Sequence, residues 1–155
     1  MSNTDLIRTF YESFARGDAE GMAGCYDERI VFTDPAFGEL KGDNAKNMWR
    51  MLLARSKGGI KIAFDDVQAD DKTGSANWRA EYAFGQTGRK VVNRISARFE
   101  FQNGKISRHT DHFSMWKWSR QALGPIGWLL GWTPFMKARI QKQTRQLLKK
   151  YTDKL

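Results

Sequence analysis

The chain has 155 residues, a net charge of +9, 41% hydrophobic and 28% charged residues, and one cysteine. That length suits one domain whose core needs neither disulfide nor structural metal, and the lone Cys25 excludes an internal disulfide. No apolar run approaches the roughly 20 residues of a membrane span and the start lacks a signal-peptide pattern, so a cytoplasmic protein is expected.

Leu6, Ile7, Phe10 and Phe14 recur at helical spacing, Gly17 stops that helix, and Asp18 opens a short second one carrying Met22, Cys25 and Tyr26. The period then changes to two: Ile30, Phe32 and Asp34 share one side of a strand ended by Pro35. Asp43 is the expected cap of a third helix with an apolar stripe of Met48, Trp49, Leu52 and Leu53, closed by Gly58 and Gly59. Strands follow: Ile60, Ile62 and Phe64 alternate, then Trp78, Ala80, Tyr82 and Phe84, with Arg79 and Glu81 on the reverse side. Val91 to Phe101 alternates next, Asn103-Gly104 makes a tight turn, and a last strand is expected over 104–118. Helices first and a meandering sheet after them is the α+β pattern.

The last strand organises the reading. Ser107, His109, Asp111 and Phe113 share one side, with Ile106, Arg108, Thr110 and His112 on the other. A carboxylate between buried neighbours costs several kcal/mol, roughly, unless it is paired, so this side is either wet or lines a pocket. His109 and His112 point to opposite sides and no other His or Cys cluster exists, so no metal site is expected.

GDAEGM at 17–22, VFTDPAFG at 31–38 and NGKISRHTDHF at 103–113 together resemble the nuclear transport factor 2-like superfamily, across roughly the first three quarters of the chain. The resemblance implies a cone-shaped α+β fold: a curved antiparallel sheet wrapped around N-terminal helices, enclosing a pocket, with its outer face commonly buried in a dimer. Residues 1–118 would form this domain, and 119–155 a basic, Trp-rich helical extension packed on it. The superfamily includes ketosteroid isomerases, limonene-epoxide hydrolases, SnoaL-like polyketide cyclases and many non-enzymes, so fold alone says little of function.

Against the isomerases, Asp34 falls on the catalytic base, while Phe10 and Ala97 replace the two oxyanion donors. Losing one such donor typically costs about 10²- to 10³-fold in rate. Against the epoxide hydrolases, Arg79-Ala80-Glu81 matches the family's Arg-x-Asp, Asp111 its second Asp and Asp34 its Asn, with Phe32 in place of the water-anchoring Tyr. Asp111 with His109 also answers to the cyclase pattern. The implied catalytic set is Asp34, Arg79, Glu81 and Asp111; the implied substrate-binding set is Phe10, Phe32, Trp49, Ala97, His109 and Phe113. By alternation alone Arg79 and Glu81 are a solvated strand face; the resemblance instead turns them into the pocket and turns Trp78, Tyr82 and Phe84 toward a dimer partner. Asp34 reads equally as a turn former before proline or as a base.

Residues 1–116 hold 17 Lys and Arg against 16 Asp and Glu, whereas 117–155 hold 9 against 1. The basicity belongs to the tail, and no nucleic-acid-binding motif accompanies it. Four of the six tryptophans lie between Trp116 and Trp132, LGPIGWLLGW at 123–132 is uncharged, and Thr133-Pro134 reads as the cap and first position of a final helix. Two readings stand: a flap packed over the sheet or pocket mouth, or a weak contact of 119–155 with an anionic membrane. The expected function is cofactor-independent acid/base chemistry on a small hydrophobic molecule, hydrolysis or isomerisation, by a homodimer. The alternative is a non-catalytic carrier or association module.

Overall fold

Ser2 opens the chain's first helix, α1 (Asn3–Ala15), its hydroxyl accepting the Asp5 N–H at 3.1 Å. This computed structural model describes all residues from Met1 to Leu155. Leu6, Ile7, Phe10, Tyr11 and Phe14 form the buried face of α1. Asp18 caps α2 (Ala19–Gly24) through the Gly21 N–H at 2.9 Å. Tyr26 then begins β1 (Tyr26–Asp34) rather than ending the second helix, and a four-residue β2 (Gly38–Lys41), not anticipated from the sequence, pairs back on it. In α3 (Asp43–Ser56) the N-cap position is Gly42 at φ 56°, and Asp43 is the first helical residue rather than the cap.

The remaining strands are β3 (Lys61–Ala69), β4 (Thr73–Ala83), β5 (Lys90–Gln102) and β6 (Lys105–His112). The sheet runs β2-β1-β6-β5-β4-β3 and is open. It is mixed rather than antiparallel, because β1 lies parallel to β6 while every other pair is antiparallel. β6 stops at His112, short of the expected Trp118, because Ser114 takes over as a helix cap, accepting the Lys117 N–H at 3.2 Å.

The apolar side of β4 turns inward. Trp78 is only 9% exposed and its ring lies 5.4 Å from Phe14 and 5.9 Å from Tyr11. The outward-facing, partner-covered face expected at Trp78, Tyr82 and Phe84 is therefore corrected: α1 and the tail cover it from within the same chain. The plain alternation was the better guide, and it leaves Arg79 and Glu81 on the outer face.

Three helices follow: α4 (Met115–Leu123), α5 (Pro125–Leu130) and α6 (Pro134–Asp153). Beyond the end of β6, Val92 of β5 has no strand beside it on that side. Gln121 of α4 takes the strand's place, its amide accepting the Val92 N–H at 2.7 Å and donating to the Val92 carbonyl at 3.1 Å. Thr133 caps α6 through the Met136 N–H at 3.2 Å. Met136 and Ile140 then join Val91, Met115, Trp118 and Ala122 in a second small core, while Leu148 joins the main one.

Candidate functional site

β6 projects His109 and Asp111 to the inside of the sheet, where they are 0% and 2% exposed. Five side chains there form one hydrogen-bonded chain. Trp49 Nε1 donates to the Tyr26 hydroxyl at 2.9 Å, which lies 2.7 Å from His109 Nδ1; His109 Nε2 lies 2.9 Å from Asp111 Oδ1, which also accepts from Trp78 Nε1 at 3.3 Å. Trp49 and Trp78 can only donate, so the Tyr26 hydroxyl and the Asp111 carboxylate each accept an indole N–H, and His109 bridges these two groups through its two ring nitrogens. Burial raises the Tyr26 pKa well above its usual value, partly offset by the Trp49 hydrogen bond, which keeps that hydroxyl protonated.

Aromatic rings enclose the chain. The His109 ring centre lies 4.5 Å from Phe99, 5.0 Å from Phe32 and 5.4 Å from Phe10, and it stacks on Trp49 at 6.2 Å. Phe10, Phe32, Trp49, Ala97 and His109, expected to line a pocket, are thus brought together but close on one another as core. Phe113 is half-buried where the two cores meet. Tyr11 is the unanticipated member. Its fully buried hydroxyl has no partner, and burial, reinforced by Asp111, raises its pKa well above the ordinary value. A buried hydroxyl without a partner costs about 1–3 kcal/mol, so a guest able to accept or donate there would be favoured.

Asp34 ends β1 nearer the surface. Its carboxylate accepts the Phe37 N–H at 2.6 Å, fixing the turn through Pro35. Burial pushes its pKa up to about 7 against the opposing Phe37 and Ala36 backbone bonds, and the charge of Asp111 adds to the rise. The tail braces this turn: Gln141 donates to the Pro35 carbonyl at 3.0 Å, Thr144 to Ala36 at 2.8 Å, and Arg145 to Phe37 at 2.9 Å. On the other side, Tyr82 accepts from Trp118 Nε1 at 2.7 Å, and its pKa is raised by burial, with Asp34 adding to that rise.

Arg79 and Glu81 are not part of this group. They pair with each other at 3.7 Å on the outer face, with side chains 43% and 27% exposed. The reason is strand parity: Trp78 reaches Asp111 inside, so its neighbour Arg79 points out, and Glu81 with it. The expected meeting of Arg79, Glu81 and Asp111 is corrected on this ground. Two open concavities of about 570 and 560 Å³ also lie on the outer face, the second including Arg79, and neither includes Asp34, His109 or Asp111.

The SnoaL-like domain description matches residues 7–109, about two thirds of the chain. The chain belongs to the SnoaL-like family. It shares the nuclear transport factor 2-like fold with solved structures. A candidate polyketide cyclase from Xanthomonas campestris pv. campestris is 22% identical, covering 76% of this chain and 94% of its own, with TM-score 0.62. Another from Pseudomonas putida KT2440 is 19% identical, covering 79% and 98%, with TM-score 0.62. TerC, co-crystallised with polyporic acid, is 17% identical, covering 72% and 90%, with TM-score 0.61. Comparison with curated proteins gave no match. The SnoaL-like match ends at His109, so Asp111 and the whole of α4, α5 and α6 lie beyond it.

Proposed function

We propose that this SnoaL-like protein binds a small hydrophobic molecule beside the end of β1 and moves a proton on it with Asp34. The observation that carries this reading is a partly shielded carboxyl at the end of β1, fixed by the Phe37 N–H at 2.6 Å, whose pKa burial raises to about 7. A group with that pKa is both a competent base and a competent acid at neutral pH, as an isomerisation requires when it takes a proton from carbon and returns it elsewhere. The Phe37 N–H holds the carboxyl in place. Hydrolysis through an Arg79–Glu81–Asp111 trio has no support in this geometry.

A non-catalytic carrier or association module is the second reading. The closed ring packing around His109 favours it, because a pocket filled by the chain's own side chains leaves little room for a substrate. A panel of enolisable ketones, with exchange of the α-hydrogen followed by NMR in deuterated buffer, separates the two. The enzyme reading expects exchange that rises through pH 7 and falls at least 100-fold in Asp34→Asn. Binding of panel members without exchange, unchanged in Asp34→Asn, would leave the carrier.

A further inference from the structure

Leaving aside Met1 and Leu155, every large hydrophobic side chain exposed on this molecule falls in a ten-residue window: Ile126 (59%), Trp128 (57%), Leu129 (72%), Leu130 (43%), Trp132 (70%) and Phe135 (68%). The way α5 is attached explains this. A surface helix ordinarily buries its large apolar side chains and shows water its small or polar ones. In α5 the order is reversed. Gly127 faces α4 so closely that a Cβ there would lie 1.9 Å from the Ser119 carbonyl oxygen, and a Cβ at Gly131 would lie 2.6 Å from the Ser119 side chain. The glycines make the contact, so the large residues have only the outside to point to.

That outward display is braced. The Arg120 guanidinium sits 4.4 Å from the ring centres of both Trp116 and Trp128, and Trp116 Nε1 donates to the Trp128 carbonyl at 3.3 Å. The segment that carries the window has one sign of charge. No acidic residue occurs between Asp111 and Asp153, whereas exposed Lys117, Lys137, Arg139 and Lys142 flank the window. On α6, Phe135, Arg139 and Lys142 follow one another at helical spacing along one stripe, next to the buried stripe of Met136 and Ile140.

From this we infer that α5 and the start of α6 form a docking face for an anionic bilayer surface. Tryptophans and leucines enter the interfacial layer while the lysines and arginines meet lipid phosphate and carboxylate groups. Charge decides between occupants. A second copy of this chain would bring the same uncompensated positive face, and repulsion would oppose its docking, whereas an anionic membrane offers the complementary sign over a whole plane. This face lies outside the SnoaL-like match and does not depend on the proton-transfer reading.

Vesicle flotation of the full chain tests it, with phosphatidylcholine alone and with 30% phosphatidylserine, in low salt and in 0.5 M salt. Binding is expected to the anionic vesicles, with a blue shift of tryptophan emission, and to weaken in salt as screening grows. Leu129→Asp with Trp132→Asp should lower the partition coefficient at least tenfold, while a far-UV spectrum and melting curve close to wild type would show that the fold stands. Arg139→Gln and Lys142→Gln should each lower it about fivefold on anionic vesicles and little on neutral ones. No flotation with anionic vesicles in low salt overturns the inference. So does a lipid-free dimer, seen by sedimentation velocity, that Leu129→Asp with Trp132→Asp dissolves, because the face then belongs to a second copy.

Discussion

The inside of the sheet and the outside of α5 break the usual rule in opposite directions. Inside, Tyr26, His109 and Asp111 are polar groups buried among rings, and each finds its partner in the same chain. On α5, Trp128 and Leu129 are apolar groups in water, and the chain offers them no cover. A buried polar group left without a partner costs the fold about 1–3 kcal/mol, whereas an exposed apolar group costs it little and can wait for something else. The first arrangement is therefore expected to carry stability, and the second an encounter.

Removing a link of the internal chain should give the largest effect. Asp111→Ala leaves His109 Nε2 and the Trp78 indole N–H without their partner and opens a small void, which should cost about 3–5 kcal/mol in urea unfolding. Leu129→Ser in the same assay should stay within about 0.5 kcal/mol of wild type. Equal losses would erase the contrast.

Tyr82→Glu comes next. It withdraws the hydroxyl to which the Trp118 indole donates and puts a charge under α4, so stability should fall by about 2–3 kcal/mol with the sedimentation coefficient of the folded protein unchanged. A clean split of a wild-type dimer with full stability would show that this face meets a partner after all.

Asp34 sharpens the comparison through pH. Its folded pKa, about 7, lies above its ordinary 3.8, so the folded state holds the proton more tightly. The associated stability is fully present below about pH 4 and is lost as pH rises through about 7. Asp34→Asn, which keeps an oxygen for the Phe37 N–H, should therefore be neutral at pH 4 and more stable than wild type at pH 8, on the order of 2 kcal/mol. A pH-independent difference would place Asp34 in ordinary solvent.

The smallest effect belongs to the outer face. Arg79→Ala and Glu81→Ala break a half-exposed pair 3.7 Å apart, and each should change stability by less than about 1 kcal/mol. Loss of α-hydrogen exchange in either would return them to the site.

Periodicity carried most of the architecture. The α1 face, the β4 and β5 alternation, the Asn103-Gly104 turn and the Thr133-Pro134 helix start stand where the residue pattern puts them. Arg79 and Glu81 show where the resemblance misled: alternation alone placed them outside, and the motif match moved them in. Pairing partners were less legible. The parallel β1–β6 contact and the four residues of β2 depend on distant strands, and nothing local in Gly38–Lys41 announces them. Of the site, His109 and Asp111 were legible from one strand's alternation. Tyr11 was not, because on α1 it reads as one more aromatic of a buried stripe, and Tyr26 was hidden in the wrong element. A hydroxyl on an otherwise aliphatic and phenyl face is the signal that could have raised Tyr11.

The bond pair between Gln121 and Val92 also bears on the protein's life before it is fully made. Three of the five residues from Val91 to Ile95 are β-branched, the open side of this stretch meets no strand, and an uncovered strand edge is a template for pairing with other chains. During synthesis that edge exists before α4 does, since Gln121 leaves the ribosome about 30 residues after Val92. In the folded chain the Gln121 side-chain amide covers that edge at Val92. Gln121→Ala is expected to lengthen the interval in which nascent or heated chains can stack, with thioflavin-positive aggregate after mild heating as its readout.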